Sequence, residues 1–245
     1  MCIRDRLGDV RYAGSGVLAS AVGMDKHFTK TVLEAAGVPV APWVTLTPAD
    51  RVGDVEWLRR RVSALGYPVF VKPARAGSSV GVTKVSGPDE LDAALDVAFA
   101  EDSRVLVERG VAGRELEIGV LGGRGGQPPR MSAVGEIVVT DRPFYDFAAK
   151  YLGASGVDLV CPAPLGDGER ADLERLAARA FEAIDGRGLA RVDVFLTDEG
   201  FVVNEINTMP GFTPISMFPK CWIASGMTYP ELIDELIALG LETVR

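Results

Sequence analysis

Histidine is nearly absent from this 245-residue chain, which holds only His27. Imidazole chemistry therefore has one candidate, and its place beside Lys26 in a helical stretch reads as a surface residue with no catalytic role. Cysteine is scarce too. Cys2, Cys161 and Cys221 are odd in number and show no CxxC or other metal spacing, which excludes a disulfide framework and fits a reducing cytoplasm. Long apolar runs are missing, so no membrane span is expected. Met1 to Arg6 lack the apolar core and cleavage site of a secretory signal. Basic residues are outnumbered, 26 Lys and Arg against 34 Asp and Glu, for a formal net charge of -8. That balance argues against nucleic acid or an anionic membrane as partner, since both need a concentrated basic surface. Any phosphate must be held locally.

What is present is ordinary for a soluble globular protein, with 47% hydrophobic and 24% charged residues. The length can bury a real core, and two domains are favoured over one. Met24 to Ala36 reads as a helix closed by Gly37 and Pro39, with Phe28, Val32 and Leu33 as its apolar stripe. A second helix is expected over Asp54 to Leu65. Pro68 to Lys72 reads as a short buried strand, and a glycine- and serine-rich loop to Gly81 leads into a strand ending at Val85. Leu91, Ala94, Leu95, Ala98 and Phe99 mark a helix, and Val105 to Glu108 returns as strand. Further strands are expected at Glu115 to Leu121 and Met131 to Val139. Thr140 to Leu165 exceeds common loop lengths and carries four aromatics, which suits a lid that docks. A strong helical stripe runs from Leu173 to Ile184, and a last helix begins at Pro230.

The most informative segment is Arg191 to Gly211. Val192, Val194 and Leu196 alternate with Arg191 and Asp193, and Val202 and Ile206 repeat the pattern, so the two runs should pair as a hairpin. A three-residue loop, Asp198-Glu199-Gly200, would set Thr197 against Phe201, Asp193 against Glu205 and Arg191 against Asn207. All four polar side chains then share one face. Carboxylate and amide oxygens suit Mg²⁺, whose remaining positions go to water and phosphate oxygens. Lys72 ends its strand just before Gly77-Ser78-Ser79-Val80-Gly81, so its ammonium and the loop amides can converge on one anion.

Taken in order, Met24-Asp-Lys26, Val71-Lys72-Pro73, Gly77-Ser-Ser-Val-Gly81, Glu108, Glu115, Lys150-Tyr151, Arg191-Val-Asp193 and Glu205-Ile-Asn207-Thr-Met-Pro-Gly211 resemble the ATP-grasp ligases, closely the D-alanine–D-alanine ligases. The resemblance spans nearly the whole chain from Gly14. It implies an α+β ATP-grasp fold, with two α+β subdomains, 1–106 and 107–245, clasping the nucleotide between two sheets. It also implies that a further N-terminal substrate subdomain of the family is missing from this chain.

The same resemblance assigns roles. Lys26 and Lys72 match lysines on the ATP phosphates, Lys150 a lid lysine near the γ-phosphate, and Ser79 and Phe195 further nucleotide contacts. Glu108 matches the acid at the adenine edge, with the backbone of Gly110 and Val111 beside it, and Glu115 the acid on the ribose. Asp193, Glu205 and Asn207 match ligands for Mg²⁺ or Mn²⁺, with two ions expected. Arg191 and the Gly211 amide would stabilise the tetrahedral oxyanion. Ser216 would hold the carboxylate of the second D-alanine, and Ser78 with Tyr151 would tie the serine loop to the lid. The implied reaction joins two D-alanines through an acylphosphate for peptidoglycan, in a cytoplasmic homodimer. A D-alanine–D-lactate ligase or another ATP-grasp carboxylate-amine ligase is the alternative, against which Tyr151 favours the dipeptide. An alternative of another class is a nucleotide-binding fragment without turnover.

Overall fold

The computed structural model describes residues 7–139, 156–213 and 215–242. Two antiparallel sheets organise it. The first has four strands, β1 (Trp43–Leu46), β2 (Val69–Pro73), β3 (Thr83–Val85) and β4 (Val105–Arg109), in the order β1-β4-β2-β3. The second has five, β5 (Arg114–Leu121), β6 (Arg130–Val139), β7 (Val157–Val160), β8 (Leu189–Thr197) and β9 (Gly200–Asn207), in the order β7-β6-β5-β8-β9.

Pleat parity sorts the residues of the first sheet. Val69, Val71, Val105 and Val107 face a core built with Leu58 and Val62 of one helix and Leu91, Ala94, Leu95 and Ala98 of another. Phe70, Lys72 and Glu108 fall on the opposite face, where Phe70 pairs directly with Glu108. In the second sheet Leu116, Ile118, Val192, Val194, Val203 and Ile206 pack against a long helix, Asp167–Ala183, through its Leu173, Ala177 and Ala180. Glu115, Glu117, Asp193, Glu205 and Asn207 are thereby turned to the other side.

The N-terminal helices split differently from the expected single helix. α1 (Val17–Met24) and α2 (Lys26–Ala35) are separated at Asp25, whose carboxylate accepts from the His27 and Phe28 amides as an N-cap. Only one residue of α1, Ala19, is buried, so its uniformly apolar sequence carries no contrast from which to read it. Phe28 does not join the core. It is 47% exposed and lies under the Arg104 guanidinium at 5.0 Å. His27 is half-buried rather than on the surface, with Nδ1 3.0 Å from the Thr45 hydroxyl. Ala19, Leu33 and Val38 pack with the second sheet, and position 106 lies inside β4.

On the inner face of the second sheet, at the end away from the first, lies α3 (Met217–Ala224), with Phe218 and Trp222 in a small core completed by α4 (Tyr229–Glu242). Close packing there needs Gly119 and Gly135. A methyl at 119 would stand 2.8 Å from Trp222 Nε1 and one at 135 would stand 2.3 Å from Met217 Sδ.

Candidate active site

The hairpin that carries the acids reaches its register by a different route from the expected one. Thr197 pairs with Gly200, not Phe201, so the loop is Asp198-Glu199 and the strands begin one residue out of the expected register. A β-bulge at Asn204 then shifts β9 by one, and Asp193 faces Glu205 with Arg191 facing Asn207 after all. Val203 rather than Val202 is the buried residue, and Val202 sits opposite Phe195 on the polar side.

On that face Arg191 grips Asp193 with two charge-assisted bonds, Nε to Oδ1 and Nη2 to Oδ2, both 2.6 Å. Its Nε is also 3.2 Å from Glu117 Oε2. Burial alone would lower the Arg191 pKa, but Asp193 and then Glu117 outweigh it and hold the guanidinium charged. Asn207 Nδ2 donates to Asp193 Oδ2 and Glu205 Oε1, each at 3.2 Å, so one amide nitrogen bridges the two carboxylates. A hard cation fits this donor set, because oxygens that share one positive dipole can share one cation. Among the described residues no three His, Cys, Asp or Glu side chains form such a cluster; the third oxygen ligand would come from the Asn207 amide.

Across from these acids, the first sheet presents lysines. Glu108 is 4% exposed and ion-paired with both Lys72 and Lys30. Burial pushes the Glu108 carboxyl up, yet the ammonium groups of Lys72 and Lys30 together hold it below the usual carboxylate range. Lys30 is 2% exposed, and its desolvation lowers its pKa against the pull of Glu108. The side chain of Glu108 is therefore committed to cations, and its carboxylate is not turned outward as a free edge. Lys26 Nζ donates to the Ala76 carbonyl at 2.6 Å, at the root of the serine loop. Ser78 and Ser79 both take positive φ, 54° and 60°, a conformation disfavoured for side chains with a Cβ.

A cavity of about 520 Å³ separates the two faces. From the first sheet's side Lys26, Lys72, Ser78, Ser79 and Glu108 line it, and from the second's Val111, Glu115, Phe195 and Glu205. Gly110 does not line it, and its amide donates to the Pro68 carbonyl at 2.8 Å. Arg191, Asp193 and Asn207 continue the Glu205 face beyond the cavity. Further along, Ser216 stands at the N-cap position of α3 without a side-chain capping bond, and its Oγ accepts from the Thr213 amide at 3.1 Å. Gly211 packs against it, since a methyl there would stand 2.9 Å from Ser216 Oγ. Lys150 and Tyr151 lie outside the described residues.

Two charged members of the site were not expected. Lys30 follows Lys26 by one helical turn and Glu117 follows Glu115 by one pleat, so each was signalled by spacing alone.

Two antiparallel sheets with lysines on one and a carboxylate–arginine face on the other, closing on one cavity, define an ATP-grasp architecture. Residues 32–238 match the family described as D-ala D-ala ligase C-terminus, and the chain belongs to that family. It is 55% identical, over 96% of its length, to a D-alanine–D-alanine ligase of Arthrobacter sp. (strain FB24), of which it spans 62%. Among solved structures it is similar to the VanG D-Ala:D-Ser ligase of Enterococcus faecalis, with TM-score 0.85 and 34% identity over 96% of this chain and 66% of that one. It is also similar to a D-alanine–D-alanine ligase of Bacillus anthracis complexed with ATP, with TM-score 0.80 and 26% identity over 98% of this chain and 73% of that one.

Proposed function

We propose that this chain carries the Mg-ATP site of a ligase that joins two D-alanines through an acylphosphate. The carrying observation is the opposition of the Lys26–Lys72 face and the Glu115–Glu205 face across one cavity of about 520 Å³. Asp193, Glu205 and Asn207 would hold Mg²⁺ or Mn²⁺, as two ions in the fullest form of this reading, and the metal when bound offsets phosphate charge. Lys26 and Lys72 attract the phosphates from the first sheet, with Ser79 and the strained serine loop beside them. Glu115 suits the ribose hydroxyls, and Phe195 and Val111 offer apolar contact to a base. Arg191, fixed by Asp193 and Glu117, presents a preorganised cation where an oxyanion develops. Ser216 and the Gly211 amide stand beyond it, placed for the second amino acid. Ser78, with Lys150 and Tyr151 from the lid segment, completes the assignment.

The reading implies a cytoplasmic homodimer. No described helix is long and apolar enough to cross a membrane. The VanG relative is named as a D-Ala:D-Ser ligase, so D-serine stands beside D-lactate as an alternative second substrate.

Titration calorimetry tests the nucleotide site. Glu205→Gln and Asp193→Asn should each weaken Mg-ATP by roughly tenfold or more. Unchanged affinity in both would sink the metal assignment. Phosphate release with ATP, Mg²⁺ and D-alanine, repeated with D-serine and D-lactate, then separates a ligase from a nucleotide-binding chain without turnover.

A further inference from the structure

Cys161 and Cys221 lie 60 residues apart in sequence, yet their sulfurs are 3.7 Å from each other. Cys161 directly follows β7, at the edge of the five-stranded sheet, and Cys221 sits within α3. Both belong to one apolar cluster with Ile137 and Met217, and Cys221 also lies against the Glu117 carbonyl, Sγ to O 3.9 Å. They differ in access. Cys221 is 1% exposed, whereas Cys161 is only partly covered. We propose that the two form an oxidisable dithiol site that takes hydrogen peroxide and closes into a reversible disulfide, tying the end of β7 to α3.

The geometry assigns the order of steps. Cys161, the partly exposed sulfur, is the one a peroxide can reach, and its hydrogen-bonded contact with Cys221 favours its thiolate; burial opposes this, and the neighbouring Lys220 charge adds to it. Cys221 is pushed the other way, first by that same hydrogen bond and then by burial, so it stays protonated. Cys161 is thus the attacking sulfur and Cys221 the resolving one. The Cys161 thiolate attacks one peroxide oxygen, the S–O bond forms as the O–O bond breaks, and the departing hydroxide takes a proton to leave as water. Cys221 then attacks the sulfenic sulfur, the S–S bond forms, the S–O bond breaks, and the hydroxyl leaves with the Cys221 proton as a second water. Two thiols and one hydrogen peroxide give one disulfide and two waters. The sulfurs must close from 3.7 Å to about 2.05 Å, within reach of side-chain rotation at a partly exposed position.

The test uses the whole chain with hydrogen peroxide near stoichiometric amounts, followed by alkylation and intact mass. A loss of two hydrogens is expected, together with a peptide joining Cys161 to Cys221 that dithiothreitol separates. The oxidised form should also melt several degrees higher, because the bridge closes a long loop. Cys161→Ser should abolish the linked peptide while Cys2→Ser keeps it. Oxidation of Cys161 to sulfinic acid with no linked peptide would overturn the proposal, as would a bridge to Cys2. Because the linked peptide is sought in the unaltered chain, the result does not depend on any variant folding.

Discussion

Replacing Glu108 with glutamine removes the carboxylate that pairs with two ammonium groups in a buried cluster. Glu108 is 4% exposed and Lys30 2%, and Lys72 keeps 14% of its side chain in solvent. Without the carboxylate, Lys30 keeps only the weaker pull of Glu205 and must either stay charged in a desolvated site or give up its proton. Removing one member of a buried pair costs about 3–5 kcal/mol. For a chain of this size each kcal/mol shifts Tm by roughly 2–4 °C, so Glu108→Gln should melt about 6–20 °C lower. Lys30→Met should cost less. It deletes a charge that was itself penalised by burial and leaves Glu108 paired with Lys72. The pH dependence carries a second signature. The Glu108 carboxyl is held below its ordinary value, so its stabilisation is full above the unfolded pKa and fades as pH falls through the folded one. The gap between wild type and Glu108→Gln should therefore narrow on acidification. Lys30 is lowered, so between its folded value and the ordinary lysine value the unfolded chain binds more protons and stability rises with pH. Lys30→Met should lose that rise. Urea and thermal melts across pH measure both effects. If Glu108→Gln melts within about 2 °C of wild type, or Lys30→Met is the worse of the two, the cluster does not work as argued.

Deleting Asn204 removes the bulge but keeps Val194 opposite Val203 and Asp193 opposite Glu205, since Val203 and Ile206 then share a face by regular alternation. Mg-ATP binding measured by calorimetry should therefore be largely kept, whereas an extra residue inserted beside Asn204 should turn Glu205 and Asn207 toward the core and abolish it. Arg191→Met leaves Asp193 and Glu117, both 5% exposed, facing across adjacent strands without their shared cation; a loss of about 3–5 kcal/mol is expected in urea melts. Gly188 has φ +67° and a methyl there would stand 2.4 Å from the Gly14 amide nitrogen, so Gly188→Ala should cost about 1–3 kcal/mol, read as a Tm several degrees lower.

How far the sequence could be read depended on local contrast. Strands with strict alternation, such as Leu189–Thr197, and helices with a sharp stripe, such as Asp167–Ala183, stood out because their two faces meet different surroundings. Trp43–Leu46 did not, since four residues hold too little pattern. Met217–Ala224 was hidden by Pro219, which reads as a breaker, although at the third helical position its missing amide hydrogen costs no intrahelical bond. In the acid hairpin the expected cross-strand pairs Asp193–Glu205 and Arg191–Asn207 form although the expected turn does not. Val203 and Ile206 are 0% and 1% exposed on the same side of the sheet, yet they are three residues apart, an odd spacing that a regular strand would send to opposite faces. One extra residue between them resolves the conflict, and Asn204 is that residue. The shorter Asp198-Glu199 loop and this bulge displace β9 in opposite senses and cancel. Burial of Val192 and Val194 on β8 and of Val203 and Ile206 on β9 therefore leaves Arg191, Asp193, Glu205 and Asn207 together on the remaining face. The polar face follows from the apolar one, which is why it survived an error in the turn.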